Sequence, residues 1–264
     1  MSGARPAYLV FSDVDETLIT AKSMLDFLDH YFPHRYGRRG ALKAARVRAD
    51  LAGLLARGAC RAEANRRFYR AWRGEPAAAV HALAARWFAA RAAGPGFFVE
   101  PTLAALREHV RRGADVVLVS GSFPAVLAPL AEQVGARRVL CSTPRVHRGV
   151  YTGALLGGPM IGEAKRGAVR ALLAEHPDVR AAHCYAYGDH VSDLPMLTEV
   201  GHPVQVGDDP VLRAHLTAAY RASRLDLAGL AGPGTAPRGV VVGCHGSAMA
   251  PSSALRRTAP DPAP

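Results

Sequence analysis

Apolar positions along this chain fall into two regimes. From Tyr8 to Phe11 they run without interruption, "YLVF", the signature of a short strand buried on both faces rather than of a half-exposed one. Over residues 23–92 they instead recur at helical spacing, as with Leu51, Leu54 and Leu55, and again with Phe68, Tyr69 and Trp72. Four helices are predicted there, over 23–32, 41–58, 61–74 and 76–92, separated by Gly58, Gly74 and the Gly94-Pro95-Gly96 break. From Thr102 the pattern alternates: helix "TLAALREHVRRG", strand "DVVLVS", helix "PAVLAPLAEQVG", strand "RRVLCS", a hairpin around "VHRGVYTGAL", then helix "EAKRGAVRALLAEH". Strand "HCYAYG", a helix near "SDLPMLTEV", strand "PVQVG" and helix "PVLRAHLTAAY" complete it. Apolar strands that alternate with helices predict an α/β fold, a parallel sheet covered on both faces and including the first strand. Beyond about Gly232 the chain is rich in Pro, Gly, Ser and Ala, which predicts a mostly disordered tail over 233–264, with "VVVG" as its one candidate edge strand.

Composition sharpens this outline in three places. The chain has 264 residues and a formal charge of +11, much of it local: twelve Lys or Arg lie between Arg35 and Arg73, with Asp50, Glu63 and the adjacent Glu75 as the nearby acids. Such a run steers anions, or it is simply a solvated basic helical face. Cys60, Cys141, Cys184 and Cys244 are far apart and make no ligand pair, which favours a reducing, cytoplasmic setting. No secretory segment is expected, because the first strand begins within about seven residues and no basic start with an apolar core precedes it. Nor is a membrane span, since the uncharged stretch Val116 to Ala131 is interrupted by "SGSFP" and Pro129.

In open parallel sheets ligands bind where the strands end. After the first strand comes Asp13-Val14-Asp15-Glu16-Thr17, after the second Ser120-Gly121-Ser122, and after a later one Gly188-Asp189-His190-Val191-Ser192-Asp193; Lys165 opens an intervening helix. Carboxylates, a hydroxyl, tight turns and an ammonium on one rim match phosphoryl transfer through a carboxylate nucleophile. A phosphate dianion repels an attacking carboxylate, so a hard cation is expected; magnesium suits Asp13, the Asp15 carbonyl and Asp189. Asp13 is then the nucleophile and Asp15 the acid/base. Ser120 and Lys165 steady the phosphoryl oxygens, with Asp193 orienting the metal's waters or Lys165. A calcium loop is excluded: its fifth, sixth and twelfth positions would be Thr17, Leu18 and Met24. His190 reads as an ordinary polar loop residue, and "CHGS" at 244–247 falls in the tail.

DxDxT after a strand, a serine ending the next one, a distant lysine and GDxxxD together resemble the four motifs of the haloacid dehalogenase superfamily, over about Ala7 to Leu225. The segments "VVLVSGSF", "YTGALLG…IGEAKRGAVRALL" and "YGDHVSDLPML" are similar to its phosphoserine phosphatase-like branch. The resemblance implies a three-layer Rossmann-like parallel sheet core over 1–21 and 95–232, with a helical cap, 22–94, inserted after the first strand. It implies a magnesium-dependent phosphomonoester hydrolase with Asp13 and Asp15 catalytic and Ser120, Gly121 and Lys165 at the phosphate. Asp13, Asp15 and Asp189 are then at the metal and Asp193 behind them. Phosphoserine phosphatases carry a glutamate nine residues after the nucleophile to meet the substrate ammonium; here that residue is Lys22, and Ser192 stands where they often have Asn. A cation there disfavours serine phosphate and favours a neutral or acidic small phosphorylated metabolite such as a sugar, cyclitol or hydroxy-acid phosphate, with amino-alcohol phosphates kept in the expected class. Two other readings are a phosphotransferase passing the aspartyl phosphoryl group to an alcohol, and a non-catalytic basic binding protein on a hydrolase scaffold. No nucleic-acid or membrane partner is expected, since aromatic residues do not interleave with the basic ones. Oligomeric state carries no signature in the sequence.

Overall fold

The computed structural model describes residues 5–228, with side chains to residue 219. The expectations for the tail, "VVVG", "CHGS" and Cys244 included, lie outside the described residues. Strand β1 (Leu9–Ser12) is followed by helices α1 (Ser23–Ala56), α2 (Arg61–Arg70) and α3 (Ala77–Ala92). The chain continues through α4 (Glu100–Arg111), β2 (Asp115–Ser120), α5 (Pro124–Val134), β3 (Arg138–Cys141) and the hairpin β4 (Thr143–His147) and β5 (Val150–Leu156). Then come α6 (Glu163–Glu175), β6 (Tyr185–Gly188), the short α7 (Leu194–Leu197), β7 (His202–Gln205) and α8 (Pro210–Ala228).

Five strands form one parallel sheet in the order β3-β2-β1-β6-β7. The uninterrupted apolar run of β1 is explained by its place at the centre, buried along its whole length. Its alternate residues serve opposite faces. Val10 joins Val116, Leu118 and Tyr187 on one face, under α4 and α5; Leu9 and Phe11 join Val117, Val119 and Ala186 on the other, under α6, α7 and α8. Register pairs Ser12 with Leu118 of β2 and with Tyr187 of β6, so β1, β2 and β6 end side by side and their following residues meet at one rim.

The helical stretch differs from its expected division. Helices over 23–32 and 41–58 are instead one element, α1, with its helical geometry broken at Gly37 (φ 56°, ψ −136°), a left-handed conformation that glycine adopts without steric cost. The turn is tight: a Cβ on Gly40 would fall 1.8 Å from the Phe32 carbonyl oxygen. The three helices share a core with the sheet. Phe27 of α1, Trp72 in the turn after α2 and Phe123 capping α5 are in ring contact, Phe27 stacking on Trp72 at 5.5 Å between centroids.

Candidate active site

The loop after β1 is folded by its own backbone. The amides of Leu18 and Ile19 both donate to the Val14 carbonyl, and Glu16 takes a left-handed conformation (φ 62°) at the bend. This holds Asp13 at the strand end and turns Asp15 towards α1, where its carboxylate accepts a hydrogen bond of 3.1 Å from the Ser23 amide. Thr17 donates to Asp189 Oδ1 at 2.8 Å, tying the first loop to the loop after β6.

Lys165 enters from the first turn of α6. Its Nζ lies 2.5 Å from Asp13 Oδ1 and 2.7 Å from Asp193 Oδ1, and both Lys165 and Asp193 are buried. Asp193 reaches this place because the chain between the motif's two acids is a single tight turn: His190 Nδ1 accepts from the Ser192 amide and the His190 amide donates to Asp193 Oδ2. His190 is thus a structural member of its loop, as expected. A Cβ on Gly188 would come within 2.7 Å of the Asp193 side chain, which accounts for glycine there. At the end of β2, Ser120 is buried and its Oγ accepts from the Ser122 amide.

All of the expected site residues, Asp13, Asp15, Lys22, Ser120, Gly121, Lys165, Asp189 and Asp193, line one cavity of about 210 Å³. Burial pushes Asp13 well above the ordinary carboxylate range; Lys165 opposes that, while Asp193, Asp189 and Asp15 add to it. Asp15 is raised to about 6, again by burial, with its Ser23 hydrogen bonds pulling the other way. Burial by itself would lower Lys165, but Asp13 and Asp193 hold it above its usual value. Asp189 is raised by burial and by Asp193 and lowered by Thr17.

Carboxylate oxygens of Asp13, Asp189 and Asp193 lie within 4.8 Å of one another. Counting Asp15, four carboxylates share the cavity floor with one ammonium, a donor set of hard oxygens with excess negative charge, which fits a divalent hard cation. The Asp15 carboxylate accepts from Ser23 and is not among the three that cluster.

A family model for haloacid dehalogenase-like hydrolases matches residues 10–198. The chain belongs to that family. A probable phosphatase of Mycobacterium tuberculosis is 40% identical over 105 residues, covering 40% of this chain and 36% of the relative. The matched region therefore spans well under half of that protein's length. A solved Bordetella pertussis protein of unknown function is 25% identical, with a TM-score of 0.69 over 82% of this chain and 96% of that one. A phosphoserine phosphatase, solved as a phospho-aspartyl intermediate analogue, shares the fold at 18% identity and a TM-score of 0.58, over 80% of this chain and 91% of that one.

For this family member the sequence reading missed the residues that α1 and α2 bring to the cavity. Asn65 is buried, its Nδ2 donating to the Gly121 carbonyl at 2.9 Å, and the Tyr69 hydroxyl donates to that same oxygen at 2.9 Å. Arg61 donates to Ser192 Oγ at 3.2 Å across the cavity mouth. A signal for Asn65 was present: it shares the apolar stripe of Phe68, Tyr69 and Trp72 at helical spacing, where a lone amide needs a partner. Lys22 is half exposed and pairs with Glu16 at 2.9 Å. Among the described residues no helix is long and apolar enough to cross a membrane.

Proposed function

We propose that this protein is a magnesium-dependent phosphomonoester phosphatase that works through an aspartyl-phosphate, with α1 to α3 as a cap over the cavity. The observation that carries the reading is the Lys165 ammonium on both Asp13 and Asp193, in a cavity that also holds Asp15, Asp189 and the Ser120 turn. The Asp13 oxygen not taken by Lys165 attacks phosphorus; as that bond forms the ester P–O bond breaks, and the departing alkoxide takes its proton from Asp15. A carboxyl group raised to about 6 retains a protonated fraction near neutrality, which suits it to that donation. Asp15, then ionised, accepts a proton from water as the water oxygen attacks phosphorus and the Asp13–phosphorus bond breaks. Lys165, Ser120 and the Gly121 turn hold the phosphoryl oxygens in place. Magnesium, held by Asp13, the Asp15 carbonyl and Asp189, would supply neutralisation of the phosphate's negative charge.

Substrate selection follows from the cavity mouth. Lys22 is balanced there by Glu16, but Arg61 has a hydroxyl and not a carboxylate as its partner, so a neutral or acidic small phosphate ester fits better than an amine-bearing one. The test is phosphate release from a panel of phosphate esters with magnesium and with chelator. Magnesium-dependent release by the wild type, and none by Asp13→Asn, is expected. Failure to release phosphate from every ester, or equal release by Asp13→Asn, would overturn the reading.

A further inference from the structure

The part of the cavity away from the carboxylates has a composition of its own. Its wall is Met24, Leu25, Leu51, Leu55, Phe68 and Ile161, contributed by both arms of α1, by α2 and by the loop before α6. The amide and hydroxyl groups on that side already have partners, and Arg61, the cation facing it besides Lys22, donates to Ser192 at the exposed edge of the cavity. Asn65 spends its amide nitrogen on Gly121 and Met24 Sδ, and its oxygen accepts from Ser142. Ser122 Oγ accepts from Ser23, Ser192 Oγ from Arg61, and Lys22 is on Glu16. A polyol leaving group placed here would bury hydroxyls against methyl and methylene groups, each unpaired hydroxyl being unfavourable.

Resting on the phosphatase reading above, we infer that the leaving group this cavity selects is apolar: the substrate class is phosphate monoesters of alkyl or aryl alcohols, not of sugars or cyclitols. This keeps the neutral small phosphate ester expected from the sequence and sets aside its sugar and cyclitol examples. The phosphate sits with Asp13, Lys165 and Ser120, and the carbon chain runs along Met24 and Phe68 towards Leu55, which is 47% exposed and marks where a longer chain leaves the cavity. Burying methylenes there favours longer chains by about three- to fourfold in affinity for each one enclosed.

The experiment compares ethyl, butyl and hexyl phosphate with glucose 6-phosphate and phosphoserine. In the wild type kcat/KM should climb at least tenfold from ethyl to hexyl phosphate, with glucose 6-phosphate below butyl phosphate. Leu55→Asp should flatten the climb at its hexyl end, whereas Leu42→Asp, an exposed leucine of the same helix that does not line the cavity, should leave it intact. A flat alkyl series, or a preference for glucose 6-phosphate or phosphoserine over hexyl phosphate, would overturn the inference while leaving a phosphatase. If no ester releases phosphate, the phosphatase reading fails, and calorimetric titration of Asp13→Asn protein with the alkyl series decides the cavity separately. Tightening with chain length supports the inference there, and equal affinity across the series refutes it.

Discussion

Two lysines in this protein meet buried carboxylates, in opposite charge balance. Lys165 serves Asp13 and Asp193 while Asp189 and Asp15 stand close by, so four acids share one ammonium. Lys43 serves Glu75 alone, at 3.0 Å, and the hydroxyls of Tyr31 and Tyr36 donate to the other Glu75 oxygen at 2.9 and 2.8 Å. The second cluster is neutral and its acid is fully supplied with donors; burial and Glu75 together push the Tyr31 hydroxyl up, so it stays protonated and donating. It needs nothing from outside. The first is over-supplied with negative charge in a place where desolvation is costly, and such an arrangement is stable only with a cation or a protonated carboxyl present. Satisfied clusters hold a fold together; unbalanced ones wait for a ligand.

The comparison can be broken at its sharpest point first. Asp13→Asn should lower turnover of any phosphate ester by at least about 1,000-fold, read by phosphate release, since on the proposed mechanism no remaining group substitutes for the attacking oxygen. Unfolding in urea should show that the variant keeps its structure. Asp189→Asn separates charge excess from shape: adding magnesium should raise the thermal midpoint of the wild type, and the variant should lose most of that rise, because the carboxylate cluster has lost a member. Glu75→Gln should retain the magnesium response, as its cluster lies apart from the cavity.

Stability, in contrast, should register Glu75. Glu75→Ala leaves the buried Tyr31 hydroxyl, the exposed Tyr36 hydroxyl and the part-exposed Lys43 ammonium without their shared acceptor and should destabilise by roughly 2–4 kcal/mol in urea titrations. The smallest effect is one of pH, at a cluster with no charge at all. His109 is buried between the hydroxyls of Tyr8 and Tyr187, each 2.9 Å from a ring nitrogen, and burial, aided by Arg112, lowers it to about 4. A folded value below the unfolded one of about 6.5 means its contribution is complete above pH 6.5 and fades as pH falls towards 4, by at most about 1.4 kcal/mol per pH unit. Urea midpoints at pH 7, 5.5 and 4.5 should converge between wild type and His109→Gln as the pH drops.

How much of this was written in the letters depends on how local each feature is. Asp13, Ser120 and Asp189 follow apolar runs, and a parallel sheet brings strand ends together whatever the intervening chain does, so the floor of the cavity was legible. Asp193's place near that floor was legible too, because only one short turn separates it from the strand end, but the letters leave open whether it meets Lys165 or a metal's waters. The wall was not legible. Asn65 and Tyr69 reach the Gly121 carbonyl only once α2 is docked, and Leu51 and Leu55 reach the cavity only because α1 breaks at Gly37. The reading of two separate helices saw the break but not that the first arm runs through Pro33 up to it. Glu75 looked like one acid beside a basic run; its partners come from both arms of α1 and its backbone joins Tyr151 of β5, contacts that no spacing announces.

Gly40 carries a consequence of its own. With the Phe32 carbonyl where its side chain would begin, this position admits no other residue unless the two arms of α1 splay apart. The arm that splaying would tilt is the one bearing the two leucines of the cavity wall. A change at this corner would thus reshape the cavity wall from a distance, and screens for altered selectivity of the proposed phosphatase should sample that elbow alongside the wall itself.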